Sequence, residues 1–164
     1  MERKGLKQLP SRGDHNCFGC SPVNPSGLHM RFFTDGEGLF SWVSVPDHLC
    51  GWKDLAHGGV ITAILDEIMG WSAIYLLKCV VLTKSIAIDF VKPVHVGTLV
   101  RAEAKLAERT QEREVIVEGL LFDGEKTLCA KARGTFAVFA PEVAERLGIM
   151  DEATRAFIDL VNSS

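Results

Sequence analysis

Two rhythms of hydrophobic and polar residues run along the chain, separated by one segment that is apolar on almost every side. Residues 28–33 and 39–45 read as short strands. Asp35-Gly36-Glu37-Gly38 between them is a turn signal that predicts a hairpin, and Pro46 closes its second strand. Residues 58–77 hold few polar side chains and no proline over a length that suits a helix, and a helix apolar on nearly all sides is a buried one. Asp66 and Glu67 sit side by side near its middle, where a charged pair would be costly in hydrocarbon, so a core helix is expected rather than a membrane span. Beyond it the period falls to two. Residues 86–90, 99–105, 115–122 and 128–138 predict four strands with one face on a core, and Asp123-Gly124 forms the turn between the last two. Pro141 opens a helical stretch. Ala153, Ala156, Phe157 and Leu160 then recur at helical spacing on a terminal amphipathic helix that caps the fold.

This order of elements predicts an α+β fold in which an antiparallel sheet curls around one long helix. A chain of 164 residues suits one domain. Residues 10–27 carry three prolines, two asparagines and three glycines, the composition of a loop. Residues 1–27 are therefore expected to be a looped lead-in, 28–140 the domain proper, and 141–164 a helical extension of it.

Charge and cysteine content narrow the partners. The net charge is -3 with acidic and basic residues interspersed, so neither nucleic acid nor an anionic membrane is an expected partner. Met1-Glu2-Arg3-Lys4-Gly5 is charged and no apolar signal core follows, which predicts a cytoplasmic protein. Five cysteines, an odd number, fit reduced thiols better than a disulfide framework. Cys17 and Cys20 are the close pair, and with His15 and His29 they would make four zinc ligands. One Cys-x-x-Cys without a second pair, in a loop of turn formers, reads instead as a tight loop, so neither a metal nor a cofactor is expected.

The sharpest chemical feature is His57-Gly58-Gly59 at the start of the buried helix, with Asp66 nine residues after the histidine. Two glycines there leave the first backbone N–H groups uncovered, with the helix dipole behind them, and such donors favour an oxygen on which negative charge develops. The same glycines would equally serve a sharp turn. Gly59, Thr62, Ala63, Asp66, Gly70 and Ala73 fall three or four residues apart and form one stripe of small residues around a carboxylate. Asp66 could act there as general base or nucleophile, or the stripe could pack against another helix or subunit; either role requires a specific partner for the carboxylate. Glu67 points about 100° away around the helix and reads as structural. Cys50 has no activating neighbour in the local sequence, and neither a Rossmann fingerprint nor a P-loop occurs.

The run from His57 to Glu67, followed by Leu82-Thr83-Lys84-Ser85-Ile86-Ala87-Ile88-Asp89-Phe90-Val91-Lys92-Pro93-Val94, resembles the hotdog-fold acyl-CoA thioesterases of the phenylacetate-pathway type. Cys17-Phe18-Gly19-Cys20 with Asn24-Pro25-Ser26-Gly27-Leu28 is similar to the lead-in of one branch of that superfamily. The resemblance implies a hotdog fold and hydrolysis of an acyl-CoA to a carboxylic acid and free coenzyme A, which enters as part of the substrate. It implies that the Gly58 N–H, assisted by Gly59, binds the thioester carbonyl, that His57 shapes the loop, and that Asp66 acts on the same carbonyl with Thr83 orienting it or a water. It also implies a homodimer, or a homotetramer as a dimer of dimers, with active sites shared between protomers. One departure stands out: the asparagine that some members carry before the histidine is missing from His48-Leu49-Cys50-Gly51-Trp52-Lys53-Asp54-Leu55-Ala56, leaving His48 or the helix terminus alone to serve.

Two other functions compete. An enoyl-thioester hydratase would more naturally use a histidine with an acidic partner, and a non-catalytic acyl-CoA sensor would keep the pocket and lose the carboxylate. Trp42, Trp52, Trp71, Phe90 and Phe136 could line an acyl pocket, although aromatic residues more often sit in a core or interface.

Overall fold

The computed structural model describes residues 5–109, 113–124 and 126–163. Its elements in chain order are β1 (Lys7–Gln8), β2 (Phe32–Thr34), β3 (Leu39–Ser44), a 3-10 turn (Asp47–Leu49), β4 (Cys50–Trp52), β5 (Leu55–Ala56), α1 (Gly58–Leu77), β6 (Val80–Phe90), β7 (Leu99–Arg109), β8 (Glu114–Phe122), β9 (Leu128–Phe139), α2 (Pro141–Arg146) and α3 (Glu152–Asn162). A seven-stranded sheet runs in the order β1-β2-β3-β7-β8-β9-β6, with every pairing antiparallel. β4 and β5 form a separate two-stranded ribbon. The chain is α+β, with a long antiparallel sheet, one long central helix and a C-terminal helix: the hotdog fold.

α1 packs on the sheet through a broad apolar face. Ile64, Leu65, Ile68, Met69 and Ala73 are fully buried against Val100, Ala102, Val115, Val117, Leu121, Ala130 and Phe136. Burial of side chains of this size contributes about 1.5–3 kcal/mol each. The helix is long and apolar enough to cross a membrane, with a mean hydropathy of 1.6, but its large residues are the contents of this core. Two glycines let it approach. A Cβ at Gly119 would lie 3.0 Å from Met69 Cγ, and one at Gly134 would lie 2.7 Å from Phe136 Cε2 and 3.2 Å from Met69 Cε.

Several expectations shift at their edges. Residues 28–31 alternate as predicted, with Leu28 and Met30 buried, yet they form no strand. Their amides bond the lead-in loop instead, Leu28 N–H to Phe18 O at 2.8 Å and Met30 N–H to Gly19 O at 2.9 Å. The lead-in also contributes β1, and Leu9 and Cys20 join the core. On α3 the predicted face is rotated: Ala153, Ala156 and Leu160 are exposed, while Phe157 packs against the core and Ile158 and Val161 are buried. The bulkier branched residues take the buried side, with spacing 154, 157, 158, 161, and Phe157 meets Trp71 edge-on at 5.8 Å.

Candidate active site

The N-terminus of α1 is held by its neighbours. His57 caps it: its Nδ1 accepts from the Gly59 N–H at 2.9 Å, and its own N–H bonds Leu49 O at 3.0 Å. The β4–β5 ribbon presses on the other side, where a Cβ at Gly51 would stand 3.3 Å from His57 Cδ2. The two glycine amides therefore differ. That of Gly59 is taken by the imidazole, while among the described residues nothing accepts from that of Gly58. The free donor at the helix tip is the Gly58 N–H, half-buried beside Phe90, whose Cζ would lie 3.5 Å from a Cβ placed there.

The carboxylate stands further along the helix. Thr83 Oγ1 donates to Asp66 Oδ1 at 2.7 Å, and among the described residues no donor reaches Oδ2. A register shift between Thr83 and Ser85 inserts Lys84 into β6, and such a bulge re-aims the side chains beside it. A cleft of about 180 Å³ opens there, lined by Asp66, Glu67, Gly70, Trp71, Thr83 and Phe136. The small-residue stripe borders this space. Asp66 is eight residues beyond Gly58, about 12 Å along the axis at 1.5 Å per residue, so one carbonyl cannot meet both within one chain.

Glu67, expected from its position on the helix to be structural, lies in the same cleft. Trp71 Nε1 donates to its Oε1 at 3.0 Å, and Cys17 Sγ lies 3.5 and 3.6 Å from its two oxygens. Burial pushes its carboxyl up to about 7, with the negative charge of Cys17 adding to the effect. Donation from the Cys20 thiol, with the Cys20 and Gly19 amides, brings Cys17 down to about 5, and the same thiol bond together with burial raises Cys20. No local signal in the sequence links these groups, because fifty positions separate Cys17 from Glu67.

The other candidates separate. His29 Nε2 is 2.6 Å from Asn24 O, and the set of four ligands with His15 and His29 is not gathered. His48 is exposed beside the ribbon, and Cys50 and Trp52 within it are exposed, Trp52 to 83%. Trp42 and Phe136 are buried, Trp71 is half-buried, and Phe90 is exposed. A larger hollow of about 710 Å³ lies at the other end of α1, where Lys78, Arg109 and Arg113 converge.

Comparison with known proteins agrees with this architecture. Residues 54–130 match the family model described as the thioesterase superfamily. The match includes Gly58, Asp66 and Thr83. Among solved structures the chain is similar to a thioesterase superfamily protein, RHA08564, with a TM-score of 0.65 and 19% identity over 71% of this chain; it spans 57% of that protein. It is also similar to the PaaI protein of the phenylacetic acid degradation operon of E. coli (TM-score 0.62, 15% identity, 69% of this chain and 81% of that one). A third similar structure is a hypothetical thioesterase of Streptococcus pneumoniae TIGR4 with coenzyme A (TM-score 0.60, 17% identity, 63% and 82%). No match is found among curated protein sequences.

Proposed function

We propose that this protein is an acyl-CoA thioesterase working as a homodimer or a dimer of dimers, with the Gly58 amide of one protomer and the Asp66–Thr83 pair of the other meeting at one thioester. The observation that carries the proposal is a free helix-tip amide and a hydrogen-bonded carboxylate on one helix, too far apart to serve one carbonyl, both beside an unpaired sheet edge. The superfamily match and a similar structure carrying coenzyme A support the substrate class.

β6 supports the assembly. It ends the sheet, and Leu82, Thr83, Lys84, Ser85, Asp89 and Phe90 along it are exposed. Thr83 lies beside Asp66 and Phe90 beside Gly58. Two copies of β6 paired antiparallel around a two-fold axis near Ile86 would set the Asp66 end of each copy against the Gly58 end of the other. Unpaired strand edges with apolar residues are templates for such pairing. At the shared site the Gly58 N–H stabilises the oxyanion, and Asp66, held by Thr83, either takes a proton from the attacking water or attacks directly. The carbon–sulfur bond breaks and the CoA thiolate leaves; on the water route it takes up the proton that Asp66 removed, and on the direct route water then opens the Asp66 anhydride, which frees the acid and regenerates the carboxylate.

Release of free thiol from a panel of acyl-CoAs tests the reaction. The wild type is expected to hydrolyse part of the panel, and Asp66→Ala to lose that activity while keeping its oligomeric state. An acyl-CoA that raises Tm without being cleaved anywhere in the panel would replace hydrolysis with binding. Mixing tests the sharing: Asp66→Ala and Gly58→Pro chains, each inactive alone, are expected to regain about a quarter of wild-type activity after co-refolding, because half the dimers are mixed and each mixed dimer has one complete site. No regain would place each site within one chain.

A further inference from the structure

Independently of the thioesterase reading, we propose that Cys17, Cys20 and Glu67 form a zinc site that fastens the N-terminal lead-in to α1. The three ligand atoms lie within 4.8 Å of one another. Zinc bonds sulfur at about 2.3 Å and carboxylate oxygen at about 2.0 Å, so a tetrahedral ion would hold sulfur and oxygen about 3.5 Å apart. Cys17 Sγ and Glu67 Oε1 stand at 3.5 Å. That pair already has the spacing that a shared ion imposes, with the Cys20 sulfur within 4.8 Å of both.

The loop is shaped for this. Gly19 packs against the Glu67 side chain so closely that a Cβ would fall 2.4 Å from its Cδ, so the glycine, one of the two residues between the cysteines, leaves room for the carboxylate between the helix and the loop. Leu28 and Met30 clamp the loop backbone through Phe18 O and Gly19 O. The Gly19 and Cys20 amides hydrogen-bond the Cys17 sulfur and fix its position. Charge supplies a second argument: among the described residues no cationic side chain forms a salt bridge with the half-buried Glu67. Buried anions are normally paired or bound to a metal. Two soft sulfurs and one carboxylate suit zinc over magnesium or calcium, and a fourth position is left for water. Binding releases to solvent whatever protons the two thiols and the carboxyl carry, and the deprotonated set balances the ion to within one charge.

The test is metal analysis of the full chain, purified in reducing buffer without chelator, followed by cobalt substitution. One zinc per chain is expected. The cobalt form should show sulfur-to-metal charge-transfer bands and the intense visible bands of tetrahedral cobalt. Glu67→Gln, Cys17→Ser and Gly19→Ala should each lose the ion, whereas Cys50→Ser, at an exposed cysteine outside the cluster, should keep it. Chelation of the wild type, which needs no variant to fold, should lower Tm, and zinc should restore it. A metal-free protein that gives no cobalt spectrum on titration would overturn the proposal. So would retention of one zinc in Glu67→Gln, or a Cys17–Cys20 disulfide in protein freshly purified under reducing conditions.

Discussion

Gly58→Pro deletes one hydrogen-bond donor and little else. Gly58 is the first residue of α1, where proline is favoured because an N–H at that position has no partner inside the helix. The residue before a proline must be extended, and His57 already is, at φ -63° and ψ 137°. Space is available too, since a Cβ at position 58 meets only the Phe90 ring, at 3.5 and 3.7 Å. The substitution should therefore leave the circular dichroism spectrum and Tm close to wild type. Its effect falls on the oxyanion, which loses the one amide at the helix tip without a described partner. Removal of a single donor of this kind typically lowers kcat about 10²–10³-fold, or about 2.7–4 kcal/mol of transition-state stabilisation. Because the interaction strengthens as charge develops on the oxygen, kcat should fall with little change in KM. Initial rates of thiol release over a range of acyl-CoA concentrations measure both, and Gly58→Ala, which keeps the N–H, separates loss of the donor from loss of space. A folded Gly58→Pro enzyme within about threefold of the wild-type kcat would refute the role given to this amide, since threefold is well under 1 kcal/mol.

Three further outcomes follow from the same structure. Thr83→Val removes the donor to Asp66 and is expected to lower kcat about 10–100-fold, the worth of a hydrogen bond to a charged group, with Tm unchanged because Thr83 is exposed. Gly134→Ala pushes a methyl group into the ring of the fully buried Phe136, which must shift to admit it; a loss of about 1–3 kcal/mol in urea unfolding is expected, and an unchanged midpoint would show the helix–sheet packing to be looser than described. Asp151 caps α3 by accepting from the Thr154 N–H at 2.7 Å, and hydrogen bonding from the Thr154 side chain, then from its backbone, lowers its pKa in the folded state. Its contribution is thus present above the unfolded carboxylate pKa and is lost as pH falls through the folded one. Asp151→Ala should lower Tm at neutral pH, with the gap to wild type closing in acid; a gap that is constant with pH would assign the effect to something other than the carboxylate.

What the sequence discloses here depends on how far apart the cooperating residues lie. The helix start, the long α1, the hairpin turn at Asp35-Gly36-Glu37-Gly38 and three of the four late strands rest on neighbouring residues, so periodicity and turn chemistry are enough to find them. β6 shows where that reasoning stops. Its alternation is legible from Ile86 onward, but the strand begins at Val80, because the extra residue Lys84 breaks the period of two and throws the first half out of phase with the second. The same bulge stands next to Thr83, so the irregularity that hides half the strand from pattern reading adjoins the hydroxyl that meets Asp66. Residues 28–31 fail in the opposite sense. Their side chains alternate like a strand, yet their amides bond a loop ten residues upstream, and side-chain pattern carries no record of where backbone hydrogen bonds go. The half-sites follow the same rule. The Gly58 amide and Asp66 are visible as types and spacing on one helix, whereas the engagement of Gly59 by His57, the Thr83–Asp66 bond and the meeting of Cys17 with Glu67 depend on side-chain geometry or chain topology. Eight residues of helix between donor and carboxylate is a separation that the sequence states outright, and helix geometry converts it into about 12 Å, the distance from which the proposal of a site shared by two copies of the chain is argued.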